Sequence, residues 1–153
     1  MMEIQYRLAT YNDVDLLVAQ RLKFVEILES DEMYKSLKDN CYKYFEKAFI
    51  DSTCDIILAE DNEQCIGTGI VFYYASVPSV FNPAGENAYI TSMYVDPDYR
   101  CRGIGTKILN GLVEKIRERG LKIIMLNASD MGKMMYEKIG FVESAGGMIL
   151  KLD

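Results

Sequence analysis

Arg100-Cys101-Arg102-Gly103-Ile104-Gly105 is the stretch best equipped for chemistry, with two guanidinium groups and two bare glycines inside six positions. Arginine offers a planar fork of donors matched to phosphate oxygens. The apolar run over residues 88–95 ahead of it reads as a strand, and Ile104, Ile108, Leu112 and Ile116 behind it recur every fourth residue, as on a helix. A strand that turns through glycine into a helix leaves the helix's first N–H groups unpaired, at the positive end of its dipole. The spacing predicts an anion site built for phosphate.

Two nucleotide motifs fail here on spacing. A dinucleotide fingerprint would need a third glycine three residues after Gly105, where Ile108 stands, and a P-loop needs adjacent Gly-Lys, whereas Thr106 separates Gly105 from Lys107. What remains, Arg-x-x-Gly-x-Gly from Arg100 to Gly105, resembles the acetyl-CoA motif of the GNAT N-acetyltransferase family. The resemblance continues upstream through Ile90-Thr91-Ser92-Met93-Tyr94-Val95-Asp96-Pro97-Asp98-Tyr99, which is similar to the family's fourth strand and following turn. Downstream, Met135-Tyr136-Glu137-Lys138-Ile139-Gly140-Phe141 resembles its Leu-Tyr-Glu-Lys-Leu-Gly-Phe signature. Residues 55–152 follow the pattern, with a looser match from Ile4 through the first helix.

The resemblance implies one acetyltransferase domain over residues 1–153 with an α/β fold in the mixed α+β sense. Its expected core is a mixed, mostly antiparallel sheet of about seven strands flanked by about four helices. The parallel fourth and fifth strands splay apart to admit the pantetheine arm of acetyl-CoA. The implied reaction is direct attack of a primary amine on acetyl-CoA, the co-substrate. By the same resemblance, the backbone N–H of Met93 stabilises the oxyanion, Val95 bonds the pantetheine, and Tyr136 is the general acid. Arg100, Arg102, Gly103, Ile104, Gly105 and Thr106 form the pyrophosphate loop. Tyrosine suits the acid role because its ordinary pKa near 10 keeps it protonated at neutral pH.

Other positions stay open. Asn127 at the end of the fifth strand either bonds the pantetheine or closes the turn. Ser129 stands where many family members carry asparagine, and its shorter reach bears on that cofactor contact. The general base is uncommitted: with no histidine in the chain, Glu86, Glu26, Glu29, a tyrosine or ordered water are the choices. The acceptor is an amine on a small molecule or peptide, and homodimerisation is implied only by the family's habit. A catalytically inactive acyl-CoA-binding regulatory module, or an interaction protein whose glycines only make a turn, would use the same loop without turnover.

Composition sets bounds around this site. The chain has 153 residues, half of them hydrophobic, and no repeat, which suits one compact domain. Its net charge of −6, from 17 basic and 23 acidic residues, argues against nucleic acid as a partner. No apolar run is long enough to span a bilayer and the first residues lack a signal pattern, so the expectation is a cytoplasmic protein with no membrane partner. Cys41, Cys54, Cys65 and Cys101 form no Cys-x-x-Cys pair, so they read as reduced thiols and no metal is expected. Cys101 is either an incidental loop residue or a thiol activated by its cationic neighbours.

The elements that must position these residues follow from periodicity. Residues 4–8 alternate as a first strand, and Thr10 with Asp13 start a helix whose face is Val14, Leu17, Val18, Leu22 and Val25, through about residue 29. A second helix spans residues 36–50 with Tyr42, Phe45 and Phe49 on one side, and by resemblance the two helices shape the acceptor pocket. Residues 55–60 and 64–74 read as a hairpin. Residues 75–87 read as a loop in which Val77, Val80 and Phe81 are apolar enough to pack inward, as acceptor wall or surface connector. A strand over 88–95, a helix over 103–119 capped by Gly120 and a strand over 121–127 complete the pattern, with the two strands expected to be parallel.

Overall fold

A computed structural model describes residues 3–23 and 31–152. Its order is β1 (Gln5–Leu8), a 3₁₀ turn (Tyr11–Asp13), α1 (Val14–Leu22), α2 (Glu32–Asp51), β2 (Cys54–Asp61) and β3 (Gln64–Ala75). Then come β4 (Glu86–Val95), a second 3₁₀ turn (Pro97–Tyr99), α3 (Ile104–Glu118), β5 (Ile124–Leu126) and α4 (Lys133–Ile139). The strands lie in chain order in one sheet. The pairs β1–β2, β2–β3 and β3–β4 are antiparallel, and β4–β5 is parallel. This is the expected mixed α+β architecture, with four helices among the described residues.

The strand count differs from the expectation of about seven. Five strands are present among the described residues, and residues 142–152 form none. A strand exists only through a neighbour's hydrogen bonds, and no such bond joins these residues to the sheet. The fifth strand is shorter than expected for the same reason, since its partners on β4 extend only from Ala88 to Ile90.

Alternation along β2 and β3 divides the interior in two. Ile57, Ala59, Ile66 and Val71 face α3 and join Ile108, Leu109, Leu112 and Ile116. Ile56, Leu58, Cys65 and Ile70 face the other way, against Val14, Leu17, Val18, Leu22, Phe45 and Ala48 from α1 and α2. This two-residue period in the strands and the spacing in the helices follow directly from element geometry. On the α3 face the approach is so close that a Cβ on Gly69 would sit 2.5 Å from the Ile108 side chain. Glycine is what lets the helix lie there.

The loop between β3 and β4 corrects the expectation of inward packing. Val77, Val80 and Phe81 are each 88% exposed. The loop satisfies its own backbone, with Ser76 N–H donating to the Gly85 carbonyl at 2.8 Å and Ser79 N–H to the Asn82 carbonyl at 3.0 Å. That internal turn points these side chains outward and leaves them out of any acceptor wall. At the other end of the chain, α1 starts as expected: Thr10 N–H donates to Asp13 Oδ2 at 2.7 Å. Arg7 then grips both Asp13 and Glu60, at 2.9 and 2.8 Å, tying β1, the start of α1 and β2 together.

Candidate active site

β4 carries the site because it loses its neighbours on both sides over one short length. On the β5 side, pairing runs Ala88↔Ile124, Tyr89↔Met125 and Ile90↔Leu126, and then stops. From Thr91 to Val95 that edge of β4 is bare, so the two parallel strands part as the resemblance implied. On the β3 side, Thr68 pairs with Tyr94 while Ile70 pairs with Thr91, leaving Ser92 and Met93 together opposite Gly69. That is a β-bulge, and Ser92 sits in it with φ of +52°, a conformation serine rarely adopts. Such bulges unpair backbone groups and re-aim them, and strain of this kind gathers at functional sites.

The bulge is held from beneath. Arg21 Nη1 donates to Ser92 Oγ at 3.0 Å, and Thr68 Oγ1 donates to the Ser92 carbonyl at 3.4 Å. Lys23 at the end of α1 pairs with Asp96 at 3.0 Å. These ties fix α1 against the end of β4.

After β4 the chain makes the Pro97–Tyr99 turn, anchored by the Tyr99 hydroxyl donating to the buried Asp61 at 2.7 Å. Arg100 Nε donates to the Val95 carbonyl at 3.0 Å and its guanidinium stands 5.8 Å from the Tyr94 ring centroid. Arg102 lies 5.5 Å from the Tyr99 ring centroid. Both arginines are exposed residues, so each braces the loop while remaining open to solvent. Gly103 has φ of +78° and caps α3, and a Cβ there would meet no atom within 4 Å. Lys107 is the first N–H to pair back, to the Gly103 carbonyl at 3.1 Å, which leaves those of Ile104, Gly105 and Thr106 without a helical partner. The Ile104 side chain is buried, so it offers its N–H alone, while Thr106 is exposed. Such an open helix start, with two arginines beside it, has the donor chemistry to take a phosphate-bearing ligand.

Tyr136 on α4 is only 8% exposed, its ring edge-on to Phe141 with centroids 5.8 Å apart. Burial raises its hydroxyl above the ordinary tyrosine range. No hydrogen bond among the described residues takes that hydroxyl, and no buried side-chain polar atom lacks a partner, so it keeps access to the outside. Met135 reaches toward the start of α3, where a Cβ on Gly105 would lie 3.2 Å from its sulfur. Asn127 follows β5 directly and is exposed where the strands part. The Ser129 hydroxyl is used locally, accepting from the Gly132 N–H at 3.2 Å as α4 begins.

Across the sheet from α3, a cavity of about 410 Å³ opens between α1, α2, β3 and β4. Leu17, Leu37, Phe45 and Ile70 give it apolar walls, and Arg21, Ser92, Met93 and Tyr94 bring it to the bulge. Arg21, Thr68 and Ser92 were not singled out from sequence. Arg21 lies on the polar side of an ordinary amphipathic helix, and nothing in its spacing separates it from a solvated cation. Glu86 begins β4, at the far end of the strand from Met93, and does not line the cavity. Glu26 and Glu29 lie outside the described residues. Cys101 is exposed with φ of +59°, whereas Cys54 and Cys65 are buried, and burial pushes the Cys54 thiol up to about 11.

Comparison with known proteins agrees with this geometry. An uncharacterised N-acetyltransferase of Methanocaldococcus jannaschii is 39% identical over 61 residues, 38% of this chain and 27% of that protein. Thialysine N-epsilon-acetyltransferase of Mus musculus is 29% identical over 94 residues, 58% of this chain and 52% of the mouse protein. The chain thus spans about a quarter and about half of these two relatives. A protein from Clostridium acetobutylicum, described as a predicted acetyltransferase and crystallised with acetyl-CoA, superposes with a TM-score of 0.87 at 30% identity, over 97% of this chain and 96% of that one. A GCN5-related N-acetyltransferase from Ralstonia eutropha has the same fold, with a TM-score of 0.82 at 20% identity over 97% of this chain and 99% of that one. The description "Acetyltransferase (GNAT) family" matches residues 22–141, a span that holds the bulge, the glycine turn and Tyr136, and the chain belongs to that family.

Proposed function

We propose that this protein transfers an acetyl group from acetyl-CoA to a primary amine by direct attack. The observation that carries the reading is the bare, bulged stretch of β4 from Thr91 to Val95, which lies between an open helix N-terminus and an apolar cavity. Acetyl-CoA would supply an activated thioester. The N–H groups of Ile104, Gly105 and Thr106, with Arg100 and Arg102 at the rim, would hold its pyrophosphate.

Each step then has a group in this chain. Val95 offers main-chain pairing to the pantetheine along the bare edge. The Met93 N–H, re-aimed by the bulge, donates to the thioester oxygen as negative charge grows there, the role of an oxyanion hole. Tyr136 gives its proton to the departing sulfur, and its raised pKa keeps that proton in place through neutral pH. Asn127, exposed just past β5, would bond the pantetheine there, and Ser129, whose Oγ accepts from the Gly132 N–H, keeps its O–H to donate to the cofactor. Among the described residues no carboxylate lines the cavity, and ordered water there would give the amine's proton a way out.

The cavity also bears on the acceptor. Its walls are mostly apolar, and among the described residues Arg21 is the cationic side chain that lines it. An amine with an apolar body and an anionic group at its far end fits such a space better than a polyamine does, because a second cation would meet Arg21.

The test is CoA release measured with a panel of amines at fixed acetyl-CoA, beside a thermal titration with acetyl-CoA alone. Turnover with at least one amine supports the proposal. Thermal stabilisation without turnover would mean a binding module, and no stabilisation would remove the cofactor site itself.

A further inference from the structure

We propose, on the reading of the β4 bulge as the point of acetyl transfer, that the acceptor is a free amino carboxylate with a short apolar body, and that Arg21 selects it by its acid group. The cations around this end of α1 differ in what they already hold. Arg7 pairs with Asp13 and Glu60, and Lys23 with Asp96. Arg21 meets no carboxylate among the described residues and gives one N–H, from Nη1, to the neutral Ser92 Oγ at 3.0 Å. A guanidinium has five N–H donors in a fixed fork, so most of this one's remain for a ligand. A carboxylate is the partner whose two oxygens match that fork.

Position turns this donor set into a ruler. Ser92 directly precedes Met93, so Arg21 Nη1, 3.0 Å beyond Ser92 Oγ, lies no more than about 8 Å from the Met93 N–H. With the reacting carbonyl against that N–H and the acid group against the guanidinium, the molecule that joins them has about two to four carbons between amine and carboxylate. The spacing is held firmly: Thr68 Oγ1 donates to the Ser92 carbonyl at 3.4 Å, and Ser92 keeps its left-handed φ of +52°.

The surrounding cavity suits the body of such a molecule. Its volume of about 410 Å³ is that of a small-ligand site, and Leu17, Leu37, Phe45 and Ile70 offer an apolar stem its walls. Among the described residues no aspartate or glutamate lines it, so a second ammonium would meet Arg21 without a counter-charge. A peptide amine matches less well. Both a peptide's N-terminal carbon and a lysine stem lead to neutral amides, which leave the guanidinium without an anion.

The experiment sets acids against their own amides. CoA release is followed with glycine, β-alanine, γ-aminobutyrate, δ-aminovalerate and ε-aminocaproate, with the carboxamide of each, and with putrescine. The proteins are the unaltered chain, Arg21→Gln, Arg21→Glu and Ser92→Ala. In the unaltered protein each well-fitting acid should exceed its amide in kcat/KM by about five-fold or more, chiefly through KM, and the best acid should lie inside the series, short of ε-aminocaproate. Arg21→Gln should bring that ratio to about one, and Arg21→Glu should invert it and favour putrescine. Ser92→Ala separates selection from mere bracing of the bulge. It loses the same tie yet keeps the cation, so it should slow acid and amide alike and leave their ratio intact. A ratio near one in the unaltered protein overturns the proposal, as does a ratio that Arg21→Gln leaves unmoved or that Ser92→Ala abolishes. A steady rise to ε-aminocaproate overturns the short span. Turnover confined to diamines or peptide amines overturns the acceptor class while acetyl transfer stands, whereas no CoA release with any amine overturns acetyl transfer and the acceptor class together.

Discussion

The two faces of the sheet are packed to different ends. Against the middle of α3, the side chains of Ile108, Leu109, Leu112 and Ile116 are wholly buried, and Gly69 on β3 lets the helix come close there. Against α1 and α2, Ile56 and Leu58 are equally buried, yet the same face holds a cavity of about 410 Å³. On the proposed reading, the closed face seats the start of α3, where main-chain donors fixed in advance would meet a diphosphate, and the hollow face would leave room for a substrate that comes and goes. What replaces packed volume there is a set of polar ties at the margins: Arg7 to Asp13 and Glu60, Arg21 to Ser92, Lys23 to Asp96, and the Tyr42 hydroxyl to Asp15 at 2.9 Å.

The largest expected effect lies on the closed face. Tyr136→Phe keeps the ring that packs on Phe141 and removes only the hydroxyl. Turnover is expected to fall by roughly 10²- to 10⁴-fold while acetyl-CoA affinity holds. Steady-state kinetics with an identified amine, beside calorimetric binding, checks this; unchanged turnover would return Tyr136 to a purely packing role. Next in size is Leu112→Ala. It empties space in a region that cannot collapse, so unfolding in denaturant should show a loss of about 2–5 kcal/mol. Leu37→Ala borders space that already exists, so its cost should be near 1 kcal/mol while the KM of the acceptor changes. Equal losses at the two positions would erase the contrast between the faces.

Much of the closed face was legible from the sequence. The helix expected over residues 103–119 is found as Ile104–Glu118, because a strict four-residue repeat and two glycines state both its face and its ends. The turn before it was legible for the same reason: its chemistry is main chain, and main chain is written by glycine. The hollow face was less so, since a cavity is an absence of side chains and no residue type encodes one. Arg21 became visible only when the fold brought it 3.0 Å from a serine that lies 71 positions away. The expectation for Val77, Val80 and Phe81 failed because hydropathy ranks what favours burial, whereas the loop's own hydrogen bonds decided which way they point. At β5, the expected length failed because strand ends are set by the neighbour.

Gly103→Val probes the seam between legible and hidden. A Cβ there would touch no protein atom, so any loss must come from the left-handed φ of +78° or from the ligand itself. Acetyl-CoA affinity is expected to weaken about ten-fold or more, near 1.4 kcal/mol. Gly103→Asn tolerates that φ better, and it should recover the part due to backbone strain. If both substitutions leave affinity untouched, the open space in front of the turn is not where the diphosphate lies.

The smallest effect tests the polar ties of the hollow face by pH. The Arg7 guanidinium, through its hydrogen bonds, holds the Asp13 carboxyl below the usual aspartate range. A carboxylate lowered in the folded state adds stability above its unfolded pKa of about 3.9, and that share is lost as pH falls through the lower, folded value. Arg7 is 41% exposed, so solvent trims the contribution to about 0.5–1 kcal/mol. Acidification from pH 5 to pH 3 should therefore lower amide protection, taken relative to the intrinsic exchange rate at each pH, at the start of α1 more than in α3, whose carboxylates Glu114 and Glu118 pair only within the helix. Arg7→Ala should abolish that difference by making the α1 start equally loose at both pH values. If the two helices loosen in parallel, the ion pairs at the margin are ornament, and the hollow face is held by its remaining apolar contacts alone.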